Sequence, residues 1–206
     1  GEFSLKLIVG FGNPGDKHVN NRQNIGFKVI EIIANNTGID VKVKKKKSLI
    51  GRGKINNEDV VLLKPQTFVN LIGESVLYIA SFLRINIREI ICIYEDPGLD
   101  LGELRVDYIQ NESTHDGVAS MKRALKKDTF AKVRIGVGTP EEGEDMAKYL
   151  LKDFTEEEHF SLIHVLNKAE RVVMMLLTHP VKEVQDKFNP GGAPKENKRK
   201  VAIIRK

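Results

Sequence analysis

The chain has 206 residues, 41% hydrophobic and 30% charged, and 33 Lys and Arg against 28 Asp and Glu give a net charge of +5. That length suits one domain with a sizeable core, no apolar run approaches the roughly 18 residues a membrane span needs, and the lone cysteine excludes an internal disulfide. The cation excess favours an anionic partner, and the whole reads as a soluble intracellular protein, cytoplasmic with an organelle as the alternative.

Gly1-Glu2-Phe3 carries no methionine and is set aside as a cloning remnant. Beyond it, short β-rich runs alternate with longer segments of helical period, the pattern of an α/β protein. The first strand is predicted at 6–10 and runs into Gly10, Gly12 and Gly15, spaced Gly-x-Gly-x-x-Gly. A dinucleotide-binding turn needs a helix directly after the glycines, so that free N–H groups meet the pyrophosphate. Here six residues, Asp16 to Asn21, intervene and Pro14 removes a donor, so the spacing argues against a nucleotide. Asn21 is placed to cap a helix reaching about Asn36, with Ile25, Val29, Ile32 and Ile33 as its apolar stripe and Gly38 as its stop. The run Lys44 to Lys47 reads as a solvated strand edge, where lysines deter pairing with other chains, and direct phosphate contact is the lesser reading. Strands follow at 49–55 and 60–64, then a helix from about Val69 to Leu83. A strand at 90–94 contains Cys92, expected as a small buried hydrophobe and not a nucleophile. Further strands are predicted at 103–107 and 133–137. Thr155 and Glu158 have capping-box spacing ahead of Phe160, Ile163, Leu166, Ala169 and Val173, which predicts a long helix to about Thr178, stopped by His179-Pro180. The domain is placed at 4–188. From 189 to 206, turn formers and cations predict a mobile basic tail, whose apolar residues Val201 to Ile204 either dock as a strand or stay unpaired.

Several blocks recur in a known order. They are Leu7-Ile8-Val9-Gly10 with Gly12-Asn13-Pro14-Gly15, then Arg22, Asn24 and Gly26-Phe27; Lys64-Pro65-Gln66-Thr67-Phe68-Val69-Asn70-Leu71-Ile72-Gly73; Tyr94-Glu95-Asp96 with Leu99-Asp100-Leu101-Gly102; His115-Asp116-Gly117; and Val133-Arg134-Ile135-Gly136-Val137-Gly138. On these blocks the chain resembles the bacterial and organellar peptidyl-tRNA hydrolase family from about Leu5 to Phe188. The resemblance implies a single-domain three-layer α/β sandwich, a central mixed sheet flanked by helices. It also implies a monomer that needs no metal or cofactor and uses water to cleave the ester joining a stalled peptide to the 3' end of its tRNA. Consistently, the sequence shows no His or Cys cluster with zinc-ligand spacing.

Ester hydrolysis by water requires a general base within reach of that water, a group that orients the base, and donors for the developing oxyanion. The resemblance places the base in an Arg-His-Asn pattern, and here that pattern reads Arg22-Gln23-Asn24. A side-chain amide holds a water but does not titrate, and loss of a positioned base costs about 100- to 10,000-fold in rate. The family's orienting aspartate corresponds to Glu95, one methylene longer, with Asp96 beside it. His115 matches a histidine next to the site, and Asp116 replaces a water-orienting asparagine. Asn13 and Asn70 match two amides that hold the peptide and the RNA terminus. His18 stands where the family often has tyrosine; it is the nearest imidazole able to replace the base, with a bystander histidine as the preferred reading.

The loop at 110–114, a glycine-rich gate in the family, contains no glycine here and is expected to be stiffer. Arg105, Lys132 and Arg134 fall in the segments with which the family grips the acceptor stem, although Asp107 stands where another cation could be. Lys122, Arg123, Lys126 and Lys127, on one predicted helix, extend them towards a basic surface. The expectation is a relative that binds tRNA or peptidyl-tRNA, with the ribosome or another RNA as further partners, and whose hydrolysis is weak or lost. The alternative is an active hydrolase with a rewired base drawn from His18 or His115 with Glu95 or Asp96.

Overall fold

In the computed structural model, residues 4–109 and 115–194 are described. Their seven strands are β1 (Lys6–Gly10), β2 (Val43–Lys45), β3 (Ser48–Ile55), β4 (Glu58–Pro65), β5 (Ile90–Asp96), β6 (Leu104–Asp107) and β7 (Ala131–Gly136). They form one sheet in the order β2-β3-β4-β1-β5-β7-β6. The four central strands, β4, β1, β5 and β7, run parallel, while β2, β3 and β6 join antiparallel at the two sides.

The central strands are apolar on both faces, as parallel strands covered by helices must be. Ile8, Ile91, Ile93, Val133 and Ile135 enter one core with α1 (Ile25–Thr37), α5 (His159–Leu176) and α6 (Val181–Phe188). Leu7, Val9, Cys92 and Tyr94 enter the other with α2 (Ile72–Phe82) and α3 (Asp116–Leu125). The result is the expected three-layer sandwich around a mixed sheet. Cys92 is buried in the second core, which pushes its thiol pKa up and leaves it the apolar residue its neighbours predict.

The glycines after β1 serve packing. A Cβ on Gly26 would lie 2.4 Å from the Ile93 carbonyl oxygen, and one on Gly10 would lie 2.4 Å from that of Gly26. The first turn of α1 therefore presses directly on the ends of β1 and β5 and is closed to a phosphate. Two 3-10 turns, Asp16–His18 and Arg22–Asn24, separate Gly15 from α1.

Several boundaries differ from expectation for local reasons. Asn21 does not cap α1, because its amide is committed to His18 and Asp153, and the helix begins at Ile25. A 3-10 turn at Val69–Leu71 likewise precedes α2. The lysine run includes the unpredicted β2, an edge strand joined to β3 through Lys46 and Lys47, both at positive φ. Thr155 and Glu158 make only half a capping box, the Thr155 N–H donating to Glu158 Oε1 at 2.9 Å, and α5 starts at His159. The helix carrying Lys122 and Arg123 stops at Leu125. Lys126 takes the left-handed conformation with φ 55°, so Lys126 and Lys127 lie past its end. Two short helices went unpredicted, α4 (Met146–Leu150), capped by Asp145, and α6, which follows Pro180.

Residue 189 belongs to the folded body and not to a tail. Asn189 is buried, its Oδ1 accepting the Val106 N–H at 2.7 Å and its Nδ2 donating to the Val106 carbonyl at 2.8 Å, which satisfies the outer edge of β6. Residues 195–206 of the predicted basic tail, with Val201 to Ile204, lie outside the described residues, as does the loop 110–114. No helix among the described residues is long and apolar enough to cross a membrane.

Candidate active site

At the C-terminal ends of β1 and β5 the sheet opens into a cleft of about 1040 Å³. Crevices form there because neighbouring connections leave to opposite faces of the sheet. Asn13 arrives on the loop after β1, Asn70 on the turn before α2, Glu95 at the end of β5 and Asp116 at the start of α3, and all four line this one hollow. Gln23, His18 and His115 line it too.

Backbone and amides clamp the first wall. The Asn13 N–H donates to Asn24 Oδ1 and Asn24 Nδ2 returns a bond to the Asn13 carbonyl, both at 2.9 Å. Asn13 Nδ2 then donates to Gln23 Oε1 at 2.9 Å. The Gln23 carbonyl accepts this bond and keeps a second lone pair, and its NH2 group can donate, but no atom of the side chain titrates, so it can hold a water without taking its proton.

Arg22, beside it, is a structural pin. Its guanidinium forks onto Glu158 at 2.7 and 2.6 Å, donates to the Val137 carbonyl at 2.9 Å, and lies between the rings of Tyr149 and Phe154. The bonds from Arg22 hold the Glu158 carboxyl below its ordinary pKa.

Opposite, Phe11 stacks on Tyr94 with ring centroids 5.3 Å apart, and the His115 ring lies tilted against Tyr94 at 4.6 Å, the three forming an aromatic floor. His115 caps α3: its Nδ1 accepts the Gly117 N–H at 3.0 Å, and its Nε2 donates to Glu95 Oε1 at 2.6 Å. Burial works against a charged ring here, but the Glu95 carboxylate outweighs it and raises the His115 pKa. Neutral or charged, the imidazole has no lone pair left for a water. Glu95 itself is buried, and its Oε2 has no hydrogen-bond partner among the described residues.

The expected cations mostly serve the fold. Lys132 was expected on the RNA-facing surface. It is instead wholly buried, its ammonium donating to the carbonyls of Tyr108, Asp128 and Phe130 at 2.8 to 3.0 Å and pairing with Asp128, because β7 turns this position into the core. Arg134 lines the cleft but is held between Asp96 and Asp107, both at 2.6 Å, so Asp107 is its partner and no substitute for a cation. Lys122 pairs with Asp128 at 3.1 Å. Arg123 is exposed on α3, and Arg105 is half-buried opposite Arg134 on β6.

The sequence reading missed Lys17, which lines the cleft, and Met146, Leu150 and Leu151 of the α4 region, which form an apolar side wall. Phe68, an exposed aromatic on the rim, lay inside a recognised block without being singled out. It also missed the pairing of Asn21 with Asp153, 132 positions apart.

With this geometry in view, the comparisons agree. The peptidyl-tRNA hydrolase family profile matches residues 7–199. The peptidyl-tRNA hydrolase of Alkaliphilus oremlandii is 38% identical over 185 residues, covering 90% of this chain and all of that protein. The one from Clostridium botulinum strain Eklund 17B is 40% identical over 183 residues, 89% of this chain and 95% of the other. Among solved structures, peptidyl-tRNA hydrolase from Acinetobacter baumannii superposes with a TM-score of 0.81 at 29% identity, covering 87% of this chain and 92% of that one. An MTA/SAH nucleosidase, 8% identical with a TM-score of 0.53, shares the fold alone. Sequence blocks, sheet order and the cleft at the end of β5 thus lead to one assignment: this chain belongs to the peptidyl-tRNA hydrolase family.

Proposed function

We propose that this protein holds the 3' end of peptidyl-tRNA in the cleft between Asn13 and Asn70, with ester hydrolysis by the family's usual route reduced by about 100- to 10,000-fold. One observation carries the reading. Asn13, Asn70, Glu95 and Asp116 line a single hollow, while the base position holds Gln23, an amide that bonds to Asn13 and does not titrate. Binding groups persist where a proton acceptor is missing. His115 does not fill the gap, since Glu95 and the Gly117 N–H occupy both of its nitrogens. The amides of Asn13 and Asn70 suit the peptide and the terminal nucleotide, and exposed Phe68 offers an aromatic face on which a base can stack. Lys17, Arg105 and Arg123 are the cations we assign to RNA phosphates. Ribosome contact, monomeric state and an RNA ligand other than tRNA belong to the same proposal and depend on it.

The test is a paired measurement on N-acetyl-aminoacyl-tRNA. Binding is read with an analogue in which an amide replaces the ester, and hydrolysis is read in single turnover. Affinity for the analogue with slow peptide release is the expected result. Release at a rate within tenfold of an ordinary family member would refute the reduced-activity reading, and absence of binding would remove RNA from the account. The rewired-base reading has one specific observation in its favour, the hydrogen-bond chain through His18.

A further inference from the structure

We propose that His18 is the proton acceptor for the hydrolysis this cleft retains, and that Asp153, acting through Asn21, sets the tautomer that makes it one. The proposal rests on the substrate reading above and names the group that acts within it.

The argument is one of donors and acceptors. The Asp153 carboxylate can only accept hydrogen bonds at neutral pH, so the Asn21 atom 2.7 Å from its Oδ1 must be the amide nitrogen. That assignment turns Asn21 Oδ1 the other way, towards His18 Nδ1 at 2.8 Å. An amide oxygen only accepts, so His18 Nδ1 must carry the hydrogen. In the neutral ring the free lone pair then sits on Nε2. An exposed carboxylate two bonds away thereby dictates which nitrogen of a cleft-lining imidazole is basic.

The chain is held in place by backbone. Asn21 and Asp153 form an isolated β-bridge, the Arg22 N–H donates to the Lys152 carbonyl at 3.0 Å, and Asn21 is buried. The His18 ring is half-buried on the same wall as Asn13 and Gln23. It contrasts with His115, which lies in the same cleft with both nitrogens engaged.

The step balances without a co-reactant. A water gives a proton to His18 Nε2 as its oxygen bonds to the ester carbonyl carbon. The tetrahedral intermediate collapses, the bond from that carbon to the terminal ribose oxygen breaks, and the imidazolium returns the proton to the leaving ribose oxygen. The Gln23 NH2 group is available to the water or the oxyanion as a donor.

The experiment uses the full chain, N-acetyl-aminoacyl-tRNA as substrate and the amide-linked analogue as binding probe. His18→Gln is expected to lower kcat by about 100-fold with little change in KM. Asp153→Lys replaces an acceptor by a donor at an exposed position, so Asn21 turns round and donates to His18 Nδ1. In histidine labelled with nitrogen-15, the proton of His18 then moves from Nδ1 to Nε2 and kcat falls by about tenfold, whereas Asp153→Glu keeps both the tautomer and the rate. Full activity in His18→Gln, or a rate in Asp153→Lys that ignores the tautomer change, overturns the proposal. Tight binding of the analogue by wild-type protein that releases no peptide above the protein-free rate also overturns it, while leaving the binding reading intact. Failure to bind the analogue takes both down together.

Discussion

At position 23 the substitution of an amide for an imidazole is compounded by what the amide does. Gln23 Oε1 accepts from Asn13, which ties the side chain to the loop and limits how it can turn towards a water. Glu95, though, keeps a buried oxygen at the edge of the same cleft with no partner among the described residues. Gln23→His should therefore raise single-turnover hydrolysis by about 100-fold or more; a gain below tenfold would show that the orienting carboxylate is out of register as well. Lys132 makes the opposite point. Burial lowers its pKa, and its three carbonyl partners together with Asp128 compensate for the buried charge. Lys132→Met leaves those carbonyls without a donor and should cost roughly 3 kcal/mol in urea unfolding, with RNA affinity of the folded protein unchanged. A loss of affinity with normal stability would return Lys132 to the binding surface.

Between elements, the Arg22–Glu158 fork ties the active-site loop to the start of α5, and through Val137 to the end of β7. Its pH dependence follows from the sign of the shift. Glu158 titrates lower in the folded protein than unfolded, so its contribution is complete above the unfolded value of about 4.3 and is lost as pH falls through the lowered folded one. Wild type and Glu158→Gln should accordingly differ in unfolding free energy at pH 7 and converge in acid; a constant difference down to pH 3 would show that the carboxylate charge is irrelevant. Arg22→Ala should cost about 3 kcal/mol, since it strands a carboxylate and empties the slot between Tyr149 and Phe154.

For the whole molecule, a net charge of +5 does not say which cations face RNA. Lys122, Lys132 and Arg134 are paired with aspartates inside the fold, and the cations we assign to phosphates are Lys17, Arg105 and Arg123. With about three phosphates neutralised, tRNA affinity should fall roughly 30-fold between 50 and 200 mM salt. A titration showing no salt dependence would place binding on the amides and Phe68 alone, and a much steeper one would reveal cations from outside this set.

Most strands and the long helices were legible in the sequence because apolar runs and helical periodicity are local requirements, whereas the sheet covered on both faces and the residues that line the cleft came from the resemblance of the recognised blocks. The strands at 6–10 and 90–94 could be read directly from their apolar runs, and Asn13, Asn70, Glu95 and Asp116 from their blocks. The partners of charged groups were not legible. Whether Lys132 reaches solvent depends on which way β7 faces and on the carbonyls of Tyr108 and Asp128, and the basic nitrogen of His18 depends on Asp153 more than a hundred residues away. Hydrogen bonds and ion pairs act over about 3 Å in space, and only the folded chain brings their two ends that close.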